Sequence, residues 1–445
     1  MSPAQAPRGA AQDDWSWRRL HFVGIGGAGM SGLALVSRAL GAQVTGSDRA
    51  ESSYTELLRE RGIEPAIGHA AANVPPSAEV VYSTAVPDDN PERVAAGGQE
   101  LHRADLLAQI AALRRCLAVT GTHGKTTTAG MLVQALSGAG LDPAYVIGGE
   151  LRSTGLNAGW GAGEWIVIEA DESDRSLLKL DPEIAVLTSA ELDHHATYAS
   201  TLELEGTLRE FMGRARIAVA WDRPAILRLC PPGTVPYDAS DPVLSESGSL
   251  FGWKGIEVAL RVPGAHNAVN AAGALEAAVL AGADAGSAAA ALHDYSGARR
   301  RFELLGYSRS RAALYDDYAH HPTEVAAAIA AARTLQPTRL VAVFQPHLYS
   351  RTAALADRFG RSLARADISV VLDVYPARER REEFPGVDGR LIATAAADAA
   401  RGRQVSWLPG FDEARRFLEA RLRDGDLCLL MGAGNIDSLG RSLAR

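Results

Sequence analysis

The stretch that most constrains this chain runs from Cys116 to Met131, CLAVTGTHGKTTTAGM. A short apolar run reads as a buried strand, a glycine-bracketed loop follows it, and an Ala-rich helix starts behind the loop. That order builds a phosphate cradle. Loop N–H groups and a helix N-terminus converge on anionic oxygens, Lys125 reaches a terminal phosphate, and the Thr126 hydroxyl can sit on Mg²⁺. The common phosphate-loop spacing, G-x-x-x-x-G-K-[ST], would place glycine at 119, where the chain has Val119, so the match is to a shorter form, T-G-T-H-G-K-T. The bland alternative is an ordinary strand-to-helix turn. Lysine usage weighs against it: only Lys125, Lys179 and Lys254 occur, with arginine serving elsewhere. An ammonium is a compact point charge that fits among phosphate oxygens where a planar guanidinium would not.

Composition narrows the class. At 445 residues and 47% hydrophobic, the chain is long enough for about three domains with real cores. A net charge of −8, with no basic stripe beyond Arg299-Arg300-Arg301, argues against a nucleic-acid partner and leaves small anionic ligands compatible. Cys116, Cys230 and Cys428 lie far apart and form no C-x-x-C pair, which suggests a reducing compartment. The N-terminus has no apolar signal core, and no run of 18 apolar residues follows. The expectation is a cytoplasmic protein with no membrane segment and a loose tail over residues 1–17.

Upstream of the cradle the chain reads as a βαβ unit: a strand over Leu20–Ile25, a Gly-rich turn into an amphipathic helix, and a second strand over Ala42–Asp48. Gly24, Gly26 and Gly29 fit G-x-G-x-x-G, with Gly27 in the same turn, and Asp48 lies about 20 residues beyond it, as in dinucleotide folds. The physics says only that backbone approaches something anionic at a helix N-terminus, so the pyrophosphate of a nucleotide sugar serves as well as that of NAD. Glu79–Val86 reads as a further strand and Glu100–Arg115 as a helix. The first boundary is placed near 115.

Beyond the cradle, strands over Trp165–Ala170 and Glu183–Ala190 end in polar clusters: Glu169, Asp171, Glu172 and Asp174 after the first, and Glu191, Asp193, His194 and His195 after the second. Parallel sheets bind ligands at the carboxyl ends of their strands, so Thr126, Glu169 and His194 make a candidate magnesium set beside a nucleotide. A third α/β segment follows Arg299-Arg300-Arg301, with strands over Ala312–Asp316, Leu340–Phe344, Ile368–Val374, Val405–Leu408 and Leu427–Met431. Asp316, Asp317, His320, His321, His347 and Arg351 fall after the first two of these.

The ordered set GIGGAGMSGLA, TGTHGKTTT, EADESD, DHHATY, GAHNAVNA, RRRFE, DDYAHHPTEV, FQPHLYSRT and LDVYPARE resembles the Mur ligase family from about residue 19 to 440. The resemblance implies an α/β protein of three domains: a Rossmann-like N-terminal domain (1–115) for a UDP-sugar, a central P-loop-type ATPase domain (116–300), and a Rossmann-like C-terminal domain (301–445) that brings the amino acid. It implies ATP and Mg²⁺ as cofactors, UDP-N-acetylmuramate and L-alanine as substrates, and an acyl phosphate between them. By the same resemblance, Gly121, Thr122, His123, Gly124, Lys125, Thr126 and Thr127 hold ATP phosphates. Asn267 contacts adenine, while Arg301 and Asp317 reach the nucleotide from the domain joint. Gly24, Gly26, Gly27, Gly29, Asp48 and Ser83 take the UDP-sugar, His347 and Arg351 the amino acid, and Thr126, Glu169 and His194 the metal, with Lys125, His194 and Arg301 catalytic. The family's usual DHMDTY reads DHHATY here, GAGDI reads GAGNI, and Leu348 replaces a frequent arginine. A carbamylated lysine, used by some relatives, has no counterpart after His194. An NAD-dependent oxidoreductase and a non-catalytic nucleotide-sugar-binding protein remain the alternatives, and the sequence leaves monomer and homodimer open.

Overall fold

The computed structural model describes residues 14–193 and 197–444. Its first sheet holds β1 (Arg19–Val23), β2 (Gln43–Asp48), β3 (Ala66–Ile67), β4 (Glu79–Tyr82) and β5 (Glu100–His102) in the order β3-β2-β1-β4-β5, all parallel. The chain runs outward from β1 to β3, then returns to pair β4 on the other side of β1. This leaves a switch point at the carboxyl ends of β1 and β4, where such sheets open a crevice.

The central sheet is built from β6 (Arg115–Thr120), β7 (Ala144–Leu151), β8 (Leu156–Gly159), β9 (Trp165–Glu169), β10 (Ile184–Leu187), β11 (Ile217–Trp221) and β12 (Val235–Tyr237), ordered β12-β11-β10-β6-β9-β7-β8. Leu117, Ala118 and Val119 on β6 are fully buried, as expected of a central parallel strand covered on both faces. A small antiparallel sheet, β13 (Ser240–Ser245), β14 (Gly248–Trp253) and β15 (Ile256–Leu260), lies beside it. The last sheet holds β16 (Glu303–Tyr307), β17 (Ala313–Asp317), β18 (Arg339–Phe344), β19 (Ile368–Val371), β20 (Gln404–Trp407) and β21 (Asp426–Met431), ordered β16-β17-β21-β18-β19-β20. Only β16 is antiparallel in it. Its two faces separate by strand alternation: Leu340, Ala342 and Phe344 join one buried cluster, Val341 and Val343 the other.

Several elements differ from the sequence reading. The strand expected over Glu79–Val86 stops at Tyr82, because the chain then turns through Ser83 and Val86. The helix expected over Glu100–Arg115 is a strand to His102, a helix over Arg103–Ala111, and at Arg115 already β6. The tail expected over 1–17 is not loose at its end: Trp15 is buried, its N–H bonds Leu40 O, and Arg18 stacks on its ring. One apolar cluster runs from Phe22 and Leu33 through Leu106 to Ile168 and Phe211, so the first and central sheets share a core. All three cysteines are free, and burial pushes the Cys116 and Cys428 thiols up to about 12, which makes them inert packing groups.

Candidate active site

The phosphate-type loop leaves β6 between β10 and β9, at the carboxyl edge of the central sheet. Two of its glycines are obligatory. Gly121 (φ +123°) and Gly124 (φ +82°) hold left-handed backbone, and a Cβ there would meet Thr188 Oγ1 at 2.4 Å or Asn270 Oδ1 at 2.7 Å. The loop is pinned from the neighbouring strand end. The Thr122 hydroxyl donates to Glu191 O (2.8 Å) and accepts the Glu191 N–H (3.0 Å), and the His123 N–H donates to Ser189 Oγ (2.7 Å). The helix Lys125–Gly138 then begins without a side-chain cap, its first N–H groups facing the loop. Thr127 lines the cleft beyond.

Lys125 Nζ donates to Gly121 O (2.8 Å) and to Glu172 Oε2 (2.7 Å). Burial opposes its charge, but Glu172, Asp171 and Glu169 outweigh burial and hold its pKa above the ordinary lysine value. The Thr126 hydroxyl donates to Glu169 Oε1 (3.0 Å), and the Gly148 N–H fixes the other oxygen, Oε2, at 2.6 Å. Arg301 crosses from the chain segment before β16 and donates through Nη2 to Thr126 Oγ1 (3.3 Å). Lys125, Thr126, Glu169 and Arg301, distant in sequence, thus meet in one patch. His194 lies outside the described residues.

Beyond the loop opens a cleft between the helices Ala265–Leu280 and Pro322–Thr334. Val262, Trp221 and Ala328 give it apolar walls, and Asn267, Asn270, Arg301 and Asp317 give it polar ones. Asn267 is held at the helix start, its amide donating to Pro263 O (2.7 Å). Burial keeps His266 neutral, its pKa lowered to about 4. Asp317 accepts the Phe302 and Ala319 N–H groups, each at 2.8 Å, and so fixes the bend at which Arg300 and Phe302 take left-handed backbone.

Burial raises the Asp317 carboxyl to about 6, against a neighbouring Arg301 that lowers it. Between the unfolded value near 3.8 and about 6 the folded state binds the extra proton, so this group's stabilisation is complete below the lower value and lost as pH rises through the upper one. Asp317→Asn is therefore expected to remove up to about 3 kcal/mol of pH-dependent stability. Its melting temperature, followed from pH 4 to 7, should fall less with rising pH than the parent's; parallel curves would refute the assignment.

His347 and Arg351, expected to take the amino acid, are brought together. Arg351, 2% exposed, donates through Nε and Nη2 to Asp193 Oδ1 at 2.8 and 2.7 Å, joining the last sheet's helix to the loop after β10. Its Nη1 lies 3.0 Å from His347 Nδ1. Guanidinium only donates, so Nδ1 accepts and the proton sits on Nε2. His347 Nδ1 is therefore engaged in orienting Arg351. Burial, with His320 and Arg351 nearby, pushes its pKa down to about 3. Leu348, where relatives often carry arginine, is buried at φ +69°, its side chain packed inside rather than offered to substrate.

In the first sheet, Gly24, Gly26, Gly27 and Gly29 turn the chain from β1 into the helix Ala28–Ala39, whose N-terminus lacks a side-chain cap, and Ser83 follows β4 at the switch point. Asp48 braces this turn, Oδ2 accepting the Gly26 N–H (2.9 Å) and Oδ1 the Arg49 N–H (2.7 Å). Its oxygens thus serve the loop before any ribose.

Sequence reasoning passed over the partners that hold the site. Glu172 stood in a run read as an acidic cluster, and Asp193 beside His194 was read as a strand end; only the pairing across the sheets reveals them as the counter-ions of Lys125 and Arg351.

Three α/β units around a phosphate loop, with an arginine crossing onto its threonine, define a class of multidomain nucleotide-using enzymes. The family descriptions "Mur ligase family, catalytic domain", "Mur ligase middle domain" and "Mur ligase, glutamate ligase domain" match residues 19–115, 119–278 and 300–434. A UDP-N-acetylmuramate--L-alanine ligase of Streptomyces griseus is 42% identical, over 95% of this chain and 96% of its own. One of Gloeobacter violaceus is also 42% identical, over 94% of each. The crystal structure of UDP-N-acetylmuramate-alanine ligase MurC from Thermotoga maritima superposes with a TM-score of 0.82 at 27% identity, covering 96% of this chain and 98% of that one. The chain belongs to the Mur ligase family.

Proposed function

We infer that this protein is an ATP-dependent ligase joining L-alanine to the lactyl carboxylate of UDP-N-acetylmuramate, the first peptide-forming step of peptidoglycan precursor synthesis. The observation that carries this reading beyond family membership is the meeting of Lys125, Thr126, Glu169 and Arg301 at the carboxyl edge of the central sheet. In it, the segment up to about 115 takes the UDP-sugar at the Gly24–Gly29 turn, 116–300 holds ATP, and 301–445 brings the amino acid. No helix among the described residues is long and apolar enough to cross a membrane; a cytoplasmic location is part of the proposal.

A carboxylate does not react with an amine at neutral pH, so it is first activated. A lactyl oxygen attacks the γ-phosphorus of ATP in line, the bond to the β,γ-bridging oxygen breaks, and ADP leaves an acyl phosphate. The alanine amine then attacks the acyl carbon, and inorganic phosphate leaves as the amine loses its proton. The loop N–H groups and Lys125 hold the phosphates, Arg301 meets the charge that develops on the γ-phosphoryl group, and the cleft between the helices Ala265–Leu280 and Pro322–Thr334 takes the base, with Asn267 at its edge.

Magnesium fits the donor set present. The Thr126 hydroxyl and the Glu169 carboxylate stand 3.0 Å apart, a hard-oxygen pair of the kind this cation takes beside phosphates. When bound, it neutralises charge on the β- and γ-phosphates. Glu169→Gln is expected to raise the magnesium concentration for half-maximal activity at least about tenfold, while UDP-sugar binding persists. An unchanged magnesium dependence would make Glu169 a structural acceptor for Gly148.

The function itself is tested by phosphate release with UDP-N-acetylmuramate against a panel of amino acids. Release that requires both the sugar and alanine supports the ligase; release without either, or a preference for a bulky or acidic amino acid, overturns it.

A further inference from the structure

We propose that His123, Glu191 and His321 form a binding site for a borderline divalent transition metal such as zinc, separate from the oxygen pair Thr126 and Glu169 and clasping the phosphate loop to the last sheet. One ligand atom from each of the three lies within 4.8 Å of the others. They arrive from different elements: His123 from the loop after β6, Glu191 from the loop after β10, and His321 from the residue before the helix Pro322–Thr334.

The two imidazoles are tilted together, centroids 4.5 Å apart. His321 is wholly buried, and its Nε2 has no hydrogen-bond partner among the described residues. Its side chain caps the following helix, Nδ1 accepting the Thr323 N–H at 3.4 Å, and Nδ1 lies 3.8 Å from Glu191 Oε2. His123 Nε2 is likewise buried and unpartnered, while its Nδ1 lies 3.2 Å from Glu324 Oε1. Buried polar atoms left unpaired call for an explanation, and a bound ion is one of the standard ones.

The donor chemistry selects the ion. Two imidazoles and one carboxylate are the ligand set of zinc, cobalt and their neighbours, with a fourth position open, whereas magnesium prefers oxygen throughout. The carboxylate is already oriented from outside: Glu191 Oε2 accepts the Thr323 hydroxyl (2.7 Å) and faces Arg358 Nη2 (3.4 Å), the kind of second layer that fixes a metal ligand. Because His123 and Glu191 also line the cleft beside the phosphate loop, an ion held here would tie the loop to the C-terminal segment and hinder nucleotide entry.

The test uses the full chain without nucleotide, in excess Mg²⁺ to fill hard-oxygen sites, titrated with Co²⁺ and read by visible absorption and equilibrium dialysis. One equivalent should bind with the d–d bands of a low-coordinate nitrogen-ligated ion, and Zn²⁺ should displace it. His321→Gln and Glu191→Gln should each weaken binding at least tenfold, with metal-free circular dichroism showing that at least one is folded, while His194→Ala binds as the parent does. Absence of stoichiometric binding, binding unchanged in the folded variant, or loss of the signal in His194→Ala would overturn the site. None of these readouts involves ligation, so they stand apart from the proposed reaction.

Discussion

Lys125→Ala is expected to lower the rate of ligation at least about a hundredfold, the scale seen when one preorganised electrostatic group is removed from a charged transition state. The structure adds a second effect that the loop sequence alone conceals. Glu172, fully buried, is the ammonium's partner at 2.7 Å, and removing one member of a buried ion pair typically costs about 3–5 kcal/mol of stability. A simple alanine variant is therefore expected to be both inactive and destabilised. The discriminating protein is Lys125→Met combined with Glu172→Gln, which removes both charges and keeps the volume. It should melt near the parent temperature, bind the UDP-sugar, and still turn over at least about a hundredfold more slowly. Near-parental turnover in the folded double variant would remove Lys125 from the chemistry. The same pair bears on the catalytic cycle: an incoming γ-phosphate has to draw Nζ from Glu172 and the Gly121 carbonyl, so the ammonium is held charged and waiting rather than created by ATP.

What the sequence made legible follows a physical rule. The cradle was readable because strand, loop and helix are contiguous and each has a local signature. Buried strands such as β6 and β18, apolar through their middles, were readable for the same reason. Elements that failed were those whose identity is settled by neighbours. β5 is three residues long and exists because β4 offers an edge to pair with. The hairpin β7–β8 went unread, although Asn157 on it bonds Ser31 (3.1 Å) and ties the first unit to the second. Among site residues, Thr126 and Glu169 could be paired in thought because Glu169 ends β9 and the loop that leads to Thr126 leaves the neighbouring parallel strand β6. Asp193 and Arg351 could not, because 158 residues separate them and only the closure of one unit on another brings them within reach.

That last pair carries the second large effect. Alanine offers a carboxylate, an amine and one methyl, and Arg351 with its planar fork is the group here best shaped to take the carboxylate. In the structure Asp193 already occupies the fork, so on the proposed reading an amino-acid carboxylate would have to displace a protein carboxylate of the same chemistry. Two consequences have opposite signs. Arg351→Ala should raise the alanine KM at least about tenfold, since a charge-assisted hydrogen bond contributes ~1.5–3 kcal/mol, and should leave UDP-sugar binding intact. Asp193→Asn should lower the alanine KM, because the amide competes for the guanidinium less well than the carboxylate it replaces. A single methyl discriminates by only about 1–3 kcal/mol, so glycine and serine should remain detectable but poorer substrates in the parent. The measurement is steady-state ligation over an alanine series at saturating ATP and UDP-sugar. If Asp193 were solely a structural anchor, both variants would lose stability and neither would move KM in its assigned direction. If Arg351 contacts some other substrate, its variant would show an unchanged alanine KM with a raised KM for ATP or the sugar.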